Sequence, residues 1–97
     1  MILSFGTKAT EDLYHGRTSG REALKIPAEI WRTAWRKLDM LDAAKDLRDV
    51  ASPPANRLEK LKGRYEGQYS IRINDQFRIL FRFENGNALG VQIIDYH

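Results

Sequence analysis

The residues of this chain that could do chemistry are concentrated in its second half. Arg57, Glu59, Lys60, Lys62, Arg64, Arg72, Arg78 and Arg82 precede a tail that reads Asp95-Tyr96-His97. The sequence holds no cysteine and only two histidines, His15 and His97, which excludes thiolate metal sites and argues against structural zinc. No ordering of serine, histidine and aspartate suggests acyl transfer, and Gly63, Gly67, Gly86 and Gly90 form no phosphate-loop pattern. Guanidiniums near a phenol and an imidazole suit a phosphodiester, because the arginine fork matches phosphate oxygens.

Cutting RNA needs a base for the 2′-hydroxyl and an acid for the departing 5′-oxygen. It also needs cations for the charge on five-coordinate phosphorus and a nucleotide held for in-line attack. His97 is a candidate acid, since an imidazole titrates near neutrality and the terminal carboxylate favours its charged form. Lys62, Arg72 and Arg78 are candidate phosphate ligands. Tyr96 can stack on a base or hydrogen-bond the backbone. Glu59 is a candidate base, and Asp95 a residue that orients its neighbours. The same set also fits a basic surface that binds nucleic acid without cutting it.

Charge is distributed in keeping with either reading. From Arg57 to Arg82 there are seven basic and three acidic residues, 7 − 3 = +4, against +3 for the whole chain. A concentrated basic segment is the footprint of a phosphate-binding surface, and equally that of a solvated face. The 97 residues suffice for one domain, 1–97, with one core. No apolar run approaches the ~20 residues of a membrane span. The opening MILSFGTKAT meets charge too early for a secretory signal, so a cytoplasmic protein is expected.

The elements that must position these residues follow from periodicity. "ILSF" predicts an edge strand. Thr7 or Thr10 can cap a short helix that runs to Tyr14 and stops at Gly16. Pro27 opens an amphipathic helix whose stripe is Ile30, Trp31, Ala34, Trp35, Leu38 and Leu41, with Lys37 on the polar side. Asp42 can cap a further short piece that ends before Pro53-Pro54. Both tryptophans read as core. "NRLEKLKG", "YSIRIN", "FRILFRF" and "ALGVQIID" read as strands. A three-residue loop at Asn74-Asp75-Gln76 sets Arg72 opposite Arg78. A second, at Asn85-Gly86-Asn87, pairs Phe83 with Leu89 and Ile79 with Ile93, which keeps the apolar faces together. Helices then cover the apolar face. Arg72, Arg78, Arg82 and Tyr96 share the other, which is expected to stay open. Arg72 and Arg78 repel as cross-strand neighbours, so they either pair with Glu59, Glu66 or Asp75 or share an anion.

The segments "SFGTKATEDLYHG", "RKLDMLDAAKDLRDVASPPANRLEKLKG" and "GQYSIRINDQFRILFRF", with the terminal "DYH", resemble the HigB toxins of the RelE superfamily over nearly the whole chain. The resemblance implies a compact α+β, RelE-like fold, with N-terminal helices packed on one face of a mainly antiparallel twisted β-sheet. It implies the toxin of a type II toxin–antitoxin pair, a ribosome-dependent endoribonuclease that cuts mRNA in the A site without metal or cofactor. The implied partners are the ribosome with its mRNA and a HigA-type helix-turn-helix antitoxin, through which alone operator DNA is met. The family motif falls on Lys62, Arg78, Asp95, Tyr96 and His97. Some members carry a histidine that takes part in proton transfer where this chain has Glu59. Arg72 enters from strand parity and not from the family. Lys45, Arg57, Lys60 and Arg64 would then meet ribosomal RNA backbone. The alternative is a non-enzymatic nucleic-acid-binding or antitoxin-binding module with lost or weak nuclease activity.

Overall fold

The computed structural model describes residues 1–96, so the candidate proton donor His97 lies outside the described residues. Helix α1 spans Lys8–Tyr14 and is capped by Thr7, whose Oγ1 accepts the Thr10 N–H at 3.2 Å. It stops at Gly16, where φ is +77°. The connection that follows contains a 3₁₀ turn, Ala23–Lys25, and buries Ala23 and Ile26. Pro27 heads a second 3₁₀ turn, Ala28–Ile30, and α2 follows at Trp31–Ala43.

Helix α2 buries Ala34, Leu38 and Leu41, and with them Lys37. Placing Lys37 on the polar side was therefore incorrect. It lies three residues after Ala34 and four before Leu41, which is the spacing of the buried stripe itself. Trp31 and Trp35 pack against the core and donate their indole N–H groups to Ile26 O at 2.7 Å and Leu13 O at 2.6 Å. Helix α3, Leu47–Ala51, starts at Asp46 and not at Asp42, because Asp46 and Asp49 form a reciprocal capping box. Asp42 instead accepts the Ile2 N–H at 2.8 Å.

The sheet is antiparallel in the order β1 (Glu59–Lys60), β2 (Tyr69–Arg72), β3 (Phe77–Glu84) and β4 (Asn87–Asp95). The predicted edge strand at the N-terminus is reduced to two parallel bridges, Ile2 to Ala88 and Phe5 to Val91. Leu13, Leu38 and Leu41 from the helices pack with Ile71, Ile79, Phe81 and Val91 from the sheet in one core. Full burial of each such side chain favours folding by about 1.5–3 kcal/mol.

The β2–β3 hairpin has the predicted register, with Arg72 opposite Arg78 and Ile71 opposite Ile79. Asn74 Oδ1 holds its loop by accepting the Gln76 and Phe77 N–H groups at 2.9 and 2.7 Å. The β3–β4 hairpin differs from the expectation. Its turn is the two residues Asn85 (φ +51°) and Gly86 (φ +78°), and it pairs Phe83 with Ala88 and Arg82 with Leu89. A bulge then shifts the ladder, so that Leu80 faces Gln92 and Ile79 faces Ile93 as predicted. Gly90, at φ +60°, sits in the bulge and donates its N–H to Ser4 Oγ at 2.9 Å. The extra residue returns Val91 and Ile93 to the core side after the short turn would have sent them to the other.

Candidate active site

The arginine face is not open along its length. Leu80 and Ser70 are fully buried, and Arg78 is only 8% exposed. The Arg78 guanidinium is fixed from several sides. Its Nε donates to Ser70 Oγ at 2.8 Å, its Nη2 donates to Arg57 O at 2.6 Å, and Nη2 lies 3.6 Å from Glu59 Oε1. Buried Asn56 holds the segment that reaches it by donating Nδ2–H to Val50 O at 2.9 Å. Arg57 itself takes the left-handed conformation, φ +46°, which is unfavourable for a side chain of its kind. The bond from Arg78 to its carbonyl helps hold that geometry.

Arg72 is a third exposed and ion-paired with Asp75. The two opposed guanidiniums therefore each face a carboxylate, Asp75 and Glu59, which is the pairing alternative weighed above. Asp75 is almost wholly exposed, and such pairs add little stability, so Arg72 can exchange it for a phosphate at small cost. Lys37 Nζ donates to the Arg72 carbonyl oxygen from below. Burial, and after it the like charges of Arg36, Arg72 and Arg78, hold the Lys37 ammonium below its usual pKa. Lys37 thus adds a third cation behind the arginine pair.

At the tail, Tyr96 is 37% exposed and lies with its ring centroid 6.0 Å from the Arg78 guanidinium carbon. Gln76 ties this segment down twice. Its carbonyl accepts the Tyr96 N–H at 2.8 Å, and its Nε2 donates to Asp95 Oδ2 at 2.9 Å. Asp95 stands opposite Phe77 in the ladder. The sequence reading missed the part Gln76 plays, since a loop glutamine carries no periodic signal.

The loop from Leu61 to Gln68 is closed by the Leu61 N–H bonding Gln68 O at 2.9 Å and contains a 3₁₀ turn, Gly63–Tyr65. Lys60, Leu61, Lys62, Glu66 and Gly67 line an open groove of about 500 Å³. Arg82 reaches the rim of that groove: its Nη1 lies where a Cβ on Gly67 would be only 2.9 Å away. The side chains of Arg57, Lys60, Lys62, Arg64 and Arg82 are exposed. Lys45 is elsewhere, with its carbonyl 3.0 Å from where a Gly86 Cβ would stand, at the far end of β3 from Arg78. The structure therefore gathers Glu59, Arg78 and Tyr96, sets Arg72 beside them, and leaves Lys45 out. Among the described residues, no three His, Cys, Asp or Glu side chains group as a metal site, and no helix is long and apolar enough to cross a membrane.

A profile of HigB-like toxins, described as RelE-like toxins of the type II toxin–antitoxin system HigB, matches residues 3–97. The chain belongs to the HigB-like toxin family. Toxin HigB-1 of Vibrio cholerae is 39% identical over 93 residues, which cover 96% of this chain and 95% of the relative. Endoribonuclease HigB of Proteus vulgaris is 34% identical over the full length of both chains. The fold is also that of the RelE-like toxins. The YoeB/ParE toxin of Agrobacterium tumefaciens matches all of both chains with a TM-score of 0.55 at 19% identity. A YoeB–YefM complex of Staphylococcus aureus matches all of this chain and 98% of its own with a TM-score of 0.53 at 20% identity. As a member of this family, the chain is the toxin half of a type II toxin–antitoxin pair.

Proposed function

We propose that this HigB-like toxin is a metal-independent endoribonuclease, an mRNA interferase that acts in the cytoplasm by cutting mRNA in the ribosomal A site. The observation that carries this reading is the meeting of Arg78, Glu59 and Tyr96. A nearly buried guanidinium lies 3.6 Å from a carboxylate and 6.0 Å from an aromatic ring, at the edge of a basic loop. The family assignment and the endoribonuclease name of the Proteus vulgaris relative support it.

In the reaction, Glu59 takes the proton of the 2′-hydroxyl and the 2′-oxygen attacks phosphorus. The bond from phosphorus to the 5′-oxygen breaks, and His97 gives that oxygen its proton. The products are a 2′,3′-cyclic phosphate and a 5′-hydroxyl. Arg78, with Arg72 and Lys62, stabilises the negative charge that builds on the phosphoryl oxygens. Tyr96 holds the nucleotide, and Asp95 fixes the tail on Gln76. Lys60, Arg57, Arg64 and Arg82 bind RNA backbone around this centre. The ribosome supplies the in-line alignment that a small sheet does not. The partner is a HigA-type helix-turn-helix antitoxin, through which the toxin meets operator DNA. Residues 1–97 form one toxin domain.

The test is to incubate the purified protein with an mRNA, with and without programmed ribosomes, and to map the new RNA ends. Ends phased with codons, appearing only with ribosomes, support the reading. Intact message bound in a salt-sensitive way supports the non-enzymatic binding module instead.

A further inference from the structure

Tyr65 has no part in the reaction as written, yet its setting is unusual. It ends the Gly63–Tyr65 turn in the basic loop, is half-buried, and stands apart from the hydrophobic core. Its ring centroid is 6.5 Å from that of Tyr96, with the planes at 45°. The Arg64 guanidinium carbon lies over the Tyr65 ring, 5.3 Å from its centroid. The four side chains thus run cation, ring, ring, cation, from Arg64 through Tyr65 and Tyr96 to Arg78.

Other tilted ring pairs, Phe5 with Tyr14 at 42° and Trp31 with Trp35 at 54°, pack against the core, which Tyr65 and Tyr96 do not. Tyr69 lies nearly parallel to Phe81, at 28° with centroids 6.0 Å apart, and is likewise in contact with the core. Tyr65 is half-buried and Tyr96 exposed, so both rings keep surface open to solvent. Single-stranded RNA is held by such surfaces, since every base has a face to stack and phosphates can run along neighbouring cations. The groove lined by Lys60 and Lys62 adjoins the turn in the same loop and offers those cations.

We propose that Tyr65 is a positioning residue for the substrate: its ring stacks on a base next to the scissile phosphate, beside Tyr96, with Arg64 bracing the ring. This rests on the endoribonuclease reading above. Tyr65 accordingly holds the base beside the cut, with a modest preference that follows stacking strength, while Arg78 and Glu59 act on the phosphate.

The experiment measures single-turnover cleavage on programmed ribosomes for the wild type, Tyr65→Phe, Tyr65→Leu and Tyr65→Trp, with base frequencies counted beside the cut. Tyr65→Leu is expected to slow cleavage by roughly five- to a hundredfold, the range that stacking one base supplies, and Tyr65→Phe to stay within about twofold. The base frequencies should shift in Tyr65→Leu and Tyr65→Trp, a change that a merely structural residue would not cause. Wild-type rate and base profile in Tyr65→Leu, or a Tyr65→Phe as slow as Tyr65→Leu, overturns the proposal. If Tyr65→Leu melts early, Tyr65→Trp decides, because an unchanged base profile in that variant overturns it too. A wild type that leaves ribosome-bound message intact contradicts the nuclease reading instead. Stacking is then read from quenching of 2-aminopurine-labelled RNA, which the wild type must show and Tyr65→Leu must lose.

Discussion

Two parts of the basic surface are built in opposite ways. Around Arg78 the charge belongs to the framework: it is buried, bonded to Ser70 and to the Arg57 carbonyl, and faces Glu59. Along the loop from Lys60 to Gly67 the charges are exposed, and backbone bonds close the loop. The first arrangement gives a cation that needs no reorganisation when charge develops next to it. The second, on the proposed function, gives cations free to follow a flexible RNA backbone. Preorganisation and capture are thus divided between a strand and a loop.

This contrast is sharpest under Arg78→Ala. Cleavage should fall at least about a hundredfold, and urea melts should show a loss of about 2–3 kcal/mol, because Ser70 and the Arg57 carbonyl lose a charged partner. Arg78→Ala that cleaves poorly but melts like the wild type would break the comparison. In the loop, Lys60→Ala with Lys62→Ala should lower RNA affinity about tenfold and make its salt dependence shallower by one to two charges. Its stability should stay within about 0.5 kcal/mol of wild type.

Lys37 tests the layer behind the arginines. Its folded pKa lies below the ordinary 10.5, chiefly through burial. The native chain therefore releases the Lys37 proton at lower pH than the unfolded chain does. The unfolded state binds more protons across that window, so stability attributable to Lys37 rises as pH climbs from the lowered value to 10.5. Lys37→Met should remove this rise, shown by denaturation midpoints of the two proteins from pH 7 to 10.5. The smallest effect belongs to Asp75→Asn. Stability should change by less than about 0.5 kcal/mol, because the pair is exposed. RNA affinity should rise about two- to threefold as Arg72 is released.

Strand parity made much of this surface legible. The β2–β3 register follows from the alternation in "YSIRIN" and "FRILFRF", and with it the opposition of Arg72 and Arg78. The β3–β4 turn was not legible by the same rule, because a regular ladder forced a choice between a short turn and a dry core. Asn85-Gly86 and the bulge at Gly90 satisfy both, and the glycine at 90 was the available signal. Burial of Arg78 was hidden for a different reason. It depends on Asn56 and the Arg57 carbonyl, backbone partners from a loop whose path no periodicity records. Lys37 was recoverable from its spacing to Ala34 and Leu41, had charge not overruled position.

The central claim is that Arg78 and the tail beyond Asp95 work as one site on ribosome-bound RNA. The most direct measurement compares cleavage rates of the intact chain and a chain lacking Tyr96 and His97 on the same programmed ribosomes, with melting curves for both. The account predicts that the shortened protein stays folded, since Tyr96 does not belong to the core, and that its codon-phased cleavage is lost. Cleavage at the wild-type rate by the folded, shortened protein would contradict it.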